Sequence, residues 1–107
     1  MEYTVELSPR AFADVDGIVG RIQATSPNNA TRWRQKLFQK MACLNRFPRG
    51  YSLAPEDAFC PLEIRQTFFG RYRILFTVRD DKSLIYVLTV RHGSRDFMTP
   101  DELQSIE

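Results

Sequence analysis

The residues with the greatest capacity for chemistry lie in the last third of the chain. Arginines recur through the apolar segment 62–90, and that segment leads into Arg91-His92-Gly93-Ser94-Arg95-Asp96. Guanidinium groups bind phosphate and carboxylate oxygens through paired hydrogen bonds. The pattern therefore indicates a surface that presents positive charge to an anionic or acidic partner. The arginines within the segment are Arg65, Arg71, Arg73 and Arg79.

Arg65 and Arg73 fall on consecutive predicted strands joined by a short turn. If the register places them opposite each other, their Cβ atoms lie roughly 5 Å apart. Two cations at that distance require an anion, which a bound phosphate, a bound carboxylate or Glu63 could supply. The two arginines are therefore either a ligand clamp or part of a surface Arg–Glu pair worth under about 1 kcal/mol.

His92 is the only histidine in the chain. Beside an arginine-bound phosphate, a neutral imidazole can act as a general base toward a ribose 2′-hydroxyl. The alternative is a histidine at the end of a strand that hydrogen-bonds the backbone. The sequence has no P-loop, HExxH, GxSxG or paired-carboxylate motif. Nucleotide hydrolysis, metalloprotease and serine hydrolase activities therefore lack support, and no metal or cofactor is expected.

A second group of cations lies earlier in the chain. Residues 17–55 contain seven basic residues and no acidic one. Arg32, Lys36 and Lys40 form a row at helical spacing, which is mildly destabilising because like charges repel. This row is either a solvated helix face or a docking surface for an acidic protein segment or nucleic acid.

The apolar spacing predicts the elements that hold these residues. Residues 3–7 alternate as in a strand, and Ser8-Pro9 supplies an N-cap and a first-turn proline for a helix. That helix is expected to bury Phe12 and turn Asp14 outward, and a break at 25–29 begins a second, antiparallel helix. The apolar stripes of the two helices are Phe12, Val15, Val19 and Ile22, then Ala30, Trp33, Leu37, Met41 and Leu44.

Three strands are predicted next, at 62–68, 72–78 and 84–90, and the capping box Thr99-Pro100-Asp101-Glu102 opens a short C-terminal helix. The order β-α-α-β-β-β-α indicates an α+β fold, with a helical hairpin packed on one face of a small antiparallel-rich sheet. The other face of the sheet is expected to be partly open. A chain of 107 residues forms one domain, 1–107.

The composition indicates a globular cytoplasmic protein. Hydrophobic residues make up 43% of the chain, but no apolar run is long enough to cross a membrane and no apolar leader is visible. Cys43 and Cys60 lack metal-ligand spacing. We expect both to be reduced thiols, the first in the helical core and the second in a loop.

Nearly the whole chain resembles the RelE/ParE superfamily, the toxins of type II toxin–antitoxin modules. The likeness rests on the opening 3–11, the helical hairpin ending at 44–48, and the segments 63–65 and 72–76. The segment 90–96 is similar to the RHGxRD-type ending of ParE-like plasmid-stabilisation proteins. The resemblance implies one of two activities, because ParE-like members inhibit DNA gyrase and RelE-like members cleave mRNA on the ribosome.

The resemblance also implies roles for individual residues. In a nuclease, Arg65, Arg73, His92 and Arg95 would be catalytic. However, no lysine stands beside Arg65 on its strand, and the last tyrosine, Tyr86, lies inside a strand. This incomplete set favours a ParE-like toxin without hydrolytic activity. Its predicted target-binding or antitoxin-binding residues are Arg32, Lys36, Lys40, Arg65, Arg73, Arg91 and Arg95.

Three hypotheses follow for the function. The first is a toxin that binds gyrase and is neutralised by a cognate acidic antitoxin, which covers either the basic helical face or the open sheet. The second is an endoribonuclease whose partners are the ribosome and mRNA. The third is a non-toxic binding module that has kept the fold.

Overall fold

A computed structural model describes residues 3–59, 63–94, 98–99 and 101–102. The predicted α+β class and the order β-α-α-β-β-β are confirmed, while the predicted C-terminal helix falls mostly outside the described residues. Short 3₁₀ turns fill several connections, among them Pro55–Phe59. The helices and strands are β1 (Thr4–Leu7), α1 (Pro9–Thr25), α2 (Pro27–Ala42), β2 (Arg65–Phe69), β3 (Tyr72–Arg79) and β4 (Leu84–His92).

The four strands form one mixed sheet in the order β1-β4-β3-β2. β1 pairs with β4 in parallel, whereas β2–β3 and β3–β4 are antiparallel. A β-bulge interrupts the β3–β4 register between Leu75 and Phe76. The last strand among the described residues, β4, is therefore an interior strand, flanked by β1 and β3.

Ser8 fixes the start of α1, as its sequence position predicted. Its Oγ accepts a hydrogen bond from the Ala11 N–H at 3.0 Å, and its hydroxyl donates to the Leu88 carbonyl at 2.8 Å. Farther along α1, Asp14 accepts hydrogen bonds from the Val90 N–H at 3.2 Å and from the Thr89 hydroxyl. The prediction that Asp14 faces outward was wrong, because α1 covers the edge of β4 that the shorter β1 leaves unpaired.

The main core lies between the two helices and the sheet. From α1 it takes Ala11, Val15 and Ile18, whereas Phe12 is 48% exposed. The prediction that Phe12 is buried was wrong, because the smaller Ala11 occupies the inward position. The stripe predicted for α2 is confirmed in this cluster, which contains Leu37, Met41, Leu44, Ile74, Phe76, Ile85, Val87 and Val90.

A second, smaller core lies on the other face of the sheet. Leu75 and Leu88 contribute from β3 and β4, and Ala54, Ile64 and Met98 pack over them. The prediction of a partly open face was wrong for this region, because the chain around Pro55–Phe59 and Met98 returns to cover it.

Cys43 follows α2 and carries an exposed free thiol. The prediction that it lies in the helical core was wrong, since Met41 and Leu44 take the inward positions around it. Cys60 lies outside the described residues. No helix in the described ranges is long and apolar enough to cross a membrane.

Candidate functional site

Arg65 and Arg73 do not oppose each other. The β2–β3 register places Arg65 opposite Phe76 and Arg73 opposite Phe68. Because side chains alternate along a strand, Arg73 and Phe76 point to different faces of the sheet. The two arginines therefore lie on opposite faces of the sheet. The residue of β4 that pairs with Arg73 is Arg91.

Arg73 is enclosed by the second core and is only 3% exposed. Its Nη1 and Nη2 donate to the two carboxylate oxygens of Glu56 at 3.0 and 2.7 Å. Its Nε and Nη2 also donate to Gln66 Oε1 at 3.1 and 2.9 Å. This bidentate pair occupies the guanidinium edge with which an arginine would otherwise hold a phosphate.

Glu56 is fully buried, and its carboxylate also accepts the Met98 N–H at 3.1 Å. Burial alone would raise the pKa of this carboxyl. The hydrogen bonds from Arg73 and from the Met98 N–H outweigh burial and hold the pKa of Glu56 below its ordinary value. Glu56 is therefore the anion that neutralises Arg73, a role that the sequence suggested for Glu63.

Arg91 is also buried, at 4% exposure, and its Nη1 lies 3.6 Å from Glu102 Oε2. The same oxygen accepts from Arg10 Nη2 at 3.0 Å. The predicted capping box is present, with Thr99 and Glu102 exchanging backbone-to-side-chain hydrogen bonds of 3.2 Å. The hydrogen bond from the Thr99 N–H lowers the pKa of Glu102. Burial partly opposes this effect, whereas Arg10 and Arg91 add to it. Arg91 thus helps to hold the chain around Glu102 against the sheet.

Arg65 lies at the β2 edge and keeps 14% of its side chain exposed. Its Nε donates to Glu63 Oε1 at 2.7 Å, and its Nη1 donates to the Tyr51 carbonyl at 2.5 Å. The surface Arg–Glu pair that the sequence offered as one reading is therefore present. Arg95 lies outside the described residues, so its predicted role stays a prediction.

His92 lies at the end of β4 with its ring edge-on to Tyr72, at a centroid distance of 5.5 Å. Its Nδ1 accepts the Ser94 N–H at 3.0 Å. Ser94 Oγ also lies 2.6 Å from Nδ1, so Ser94 engages this ring nitrogen through both its backbone and its side chain. Beside this ring is a polar cleft of about 270 Å³, lined in part by Asp14, Arg21 and Arg91.

An apolar groove of about 500 Å³ lies on the other side of the hairpin, between β1 and the helices. Phe12 and Phe38 line it together with Val5, Leu7 and Met41. β1 is an edge strand whose pairing partner is β4, so its other edge borders this groove. Arg34 adds a cation at the groove, since its guanidinium carbon is 4.7 Å from the Phe38 ring centroid.

Sequence reasoning missed both the groove and Glu56. Phe12 follows Ala11 directly. If Ala11 had been counted as part of the buried stripe, the helical spacing would have placed Phe12 on the outward side of α1. Glu56 had no such signal, because it lies in a connection without periodicity and 17 positions before Arg73. Among the described residues, no group of three His, Cys, Asp or Glu side chains could hold a metal ion.

Comparison with known proteins gives a consistent picture. A family model described as the ParE toxin of the type II toxin-antitoxin system, parDE, matches residues 5–97. A chain of the chromosomal ParDE system from P. aeruginosa is similar in structure, with a TM-score of 0.70 and 17% identity over 85% of this chain and 96% of that one. Comparison with curated protein sequences gives no significant match.

Two RelE structures share the fold. A free-state double mutant of E. coli toxin RelE gives a TM-score of 0.62 and 19% identity, over 99% of this chain and 94% of that one. The RelE–RelB complex from Pyrococcus horikoshii OT3 gives 0.57 and 15%, over 90% and 100%. At these identities the structures establish the fold, while the family match covers most of the sequence. The chain belongs to the ParE toxin family of type II toxin–antitoxin systems.

Proposed function

We propose that this toxin acts by binding DNA gyrase rather than by cleaving RNA, and that a cognate antitoxin neutralises it. The antitoxin is supported by the toxin–antitoxin complexes among the structural relatives. The gyrase target is supported by the family to which residues 5–97 match.

The enclosure of Arg73 is the observation that carries the choice of binding over catalysis. A nuclease of this fold needs several basic side chains around one phosphate, together with a group that moves a proton. Here Arg73 binds Glu56 and Gln66 in the second core, and Arg65 lies on the opposite face. The Nδ1 of His92 is engaged by the backbone and side chain of Ser94.

The groove between β1 and the hairpin is the proposed seat of the antitoxin. Its lining is apolar apart from Glu6, and it includes the half-exposed ring of Phe12. An amphipathic segment buries its apolar side chains in such a groove. Arg34, above Phe38, is placed to pair with an acidic side chain of that segment. This site differs from the basic helical face and the open sheet that the sequence suggested.

A supercoiling assay tests the target. Purified toxin is added to gyrase with relaxed plasmid, and loss of supercoiling or accumulation of cleaved DNA is expected at micromolar toxin. Addition of the antitoxin should restore supercoiling. Unchanged gyrase activity at this concentration contradicts the proposal, provided that expression of the same toxin in cells stops their growth.

The alternative activity, ribosome-dependent cleavage of mRNA, has one observation in its favour. The cleft at the end of β4 places Arg21, Arg91 and His92 beside about 270 Å³ of open space, which is large enough for a phosphate group. Primer extension on translated mRNA would show new 5′ ends that the His92→Gln variant abolishes. Absence of cleavage with ribosomes present excludes this activity.

A further inference from the structure

The row Arg32, Lys36 and Lys40 is a charged surface that the proposed function leaves without a role. Arg32 and Lys36 are exposed and Lys40 is half-buried, with its Nζ 6.0 Å from the Tyr51 ring centroid. Successive members are about 6 Å apart along the helix axis and turn by about 40° per step. They therefore form a shallow spiral of positive charge along one flank of α2.

Apart from the contact of Lys40 with the Tyr51 ring, these three cations are not neutralised by the fold. Within the described part of the chain, none of them has an ion-pair partner. The acidic residues Glu63 and Asp80 are already held by other arginines, Arg65 and Arg49. Like charges in such a row oppose helix formation. An external polyanion would remove this cost.

This flank is distinct from the apolar groove. Arg34 and Phe38 mark the groove side of α2, and each lies about 160° around the helix from Lys36. Of the apolar residues of α2 between the two flanks, Leu37 and Met41 are buried in the main core and Trp33 is partly buried against it. The charged flank thus offers cations without an apolar seam, so it suits a phosphate backbone better than an amphipathic peptide.

We propose that this flank of α2 binds the phosphate backbone of double-stranded DNA, without sequence preference, while the groove remains free for the antitoxin. B-form DNA has a major groove about 12 Å wide, which admits a helix and lets its flank contact phosphates. A-form RNA has a deep and narrow major groove that excludes a helix. A row of cations along one helix therefore favours duplex DNA over duplex RNA.

Salt-dependent fluorescence anisotropy with the full-length protein and a labelled random-sequence DNA duplex tests this surface. For three phosphate contacts, affinity should fall by roughly 40-fold between 50 and 200 mM salt. In the Lys36→Gln variant the fall should shrink to roughly 12-fold. The triple variant Arg32→Gln, Lys36→Gln and Lys40→Gln should lose most of the affinity. Circular dichroism verifies that each variant folds.

The matched control is Arg34→Gln, which removes the same charge from the same helix on the other flank. It should leave the salt dependence unchanged. An equal loss in this variant would show that net charge, rather than this flank, is responsible, and would overturn the proposal. Equal affinity for an RNA duplex of the same length, or displacement of DNA by the antitoxin, would overturn it as well. The supercoiling assay tests gyrase as the target and not this flank of α2. Absence of DNA binding by the flank would therefore leave the proposed gyrase target unaffected.

Discussion

Glu56 and Arg73 form a bidentate ion pair in the second core, with Nη–Oε distances of 2.7 and 3.0 Å. Glu56 belongs to the connection before β2 and Arg73 to β3, so the pair ties that connection to the face of the sheet. Both side chains are almost completely shielded from solvent. The pair therefore serves the architecture of the second face, and its removal is expected to affect folding before it affects any partner.

We expect Glu56→Gln to lower the free energy of unfolding by about 3 to 5 kcal/mol, because it removes the carboxylate that binds both Nη atoms of Arg73 in the second core. Urea denaturation followed by fluorescence measures this change. The control is Glu63→Gln at the exposed pair with Arg65, which should cost under about 1 kcal/mol. Equal costs for the two variants would contradict the structural role assigned to Glu56.

Glu56 also predicts how stability depends on pH. Folding lowers the pKa of Glu56 below its ordinary value of 4.5, so this contribution is complete above pH 4.5 and is lost as the pH falls through the folded-state value. The stability difference between wild type and Glu56→Gln should therefore be constant at neutral pH and shrink in acid. Denaturation curves at a series of pH values test this, and a difference that stays constant to pH 3 would contradict it.

The two helices both begin after a serine N-cap, but only one of these serines makes a side-chain hydrogen bond. Ser8 both caps α1 and donates to the Leu88 carbonyl, whereas Ser26 caps α2 without a side-chain hydrogen bond. We expect Ser8→Ala to cost about 2 kcal/mol, because it removes a cap and leaves a buried carbonyl without its partner. Ser26→Ala should change stability by less than about 0.5 kcal/mol. Thermal denaturation of both variants gives the comparison.

Phe12 tests the groove as the antitoxin site. Because its ring is 48% exposed, Phe12→Ala should change the free energy of unfolding by less than about 0.5 kcal/mol. Because Phe12 lines the groove, the substitution should also weaken antitoxin binding by about 2 kcal/mol, or roughly 30-fold, in calorimetric titration. Phe68→Ala, at a ring 54% exposed on β2, is the control and should bind normally. Normal binding by Phe12→Ala would place the antitoxin elsewhere.

Growth arrest on expression without the antitoxin separates a toxin from a non-toxic module. Arg65→Ala is the more informative variant for this test, because Arg73→Ala would also break the buried pair with Glu56. We expect Arg65→Ala to remain folded, since its ion pair with Glu63 is at the surface. Unimpaired growth on expression of the folded wild type would support the third hypothesis.

The helices could be predicted because their signals are local. Ser8-Pro9 and Ser26-Pro27 mark both starts, and the apolar spacing of α2 identifies Leu37 and Met41 as buried. These features depend on neighbours along the chain, so no tertiary information is needed.

The placement of the arginines could not be predicted in the same way. A two-residue turn with Gly70 at φ 58° closes β2 onto β3 at Phe69 and Tyr72. This turn decides which residue faces Arg73, and a shift of one residue would have moved the side chains of a whole strand to the other face. Glu56 was missed because only the tertiary fold brings a carboxylate from an irregular connection to Arg73.

The interior position of β4 has a consequence for folding during synthesis. β4 is the pairing partner of both β1 and β3. The Ser8 hydroxyl also donates a hydrogen bond to the Leu88 carbonyl, which is 80 residues away along the chain. Until β4 has been synthesised, β1 has no strand to join and α1 has no edge to cover. The fold is thus completed late rather than assembled stepwise from the N-terminus. A ribosome that is making this toxin therefore carries no folded toxin until β4 has emerged.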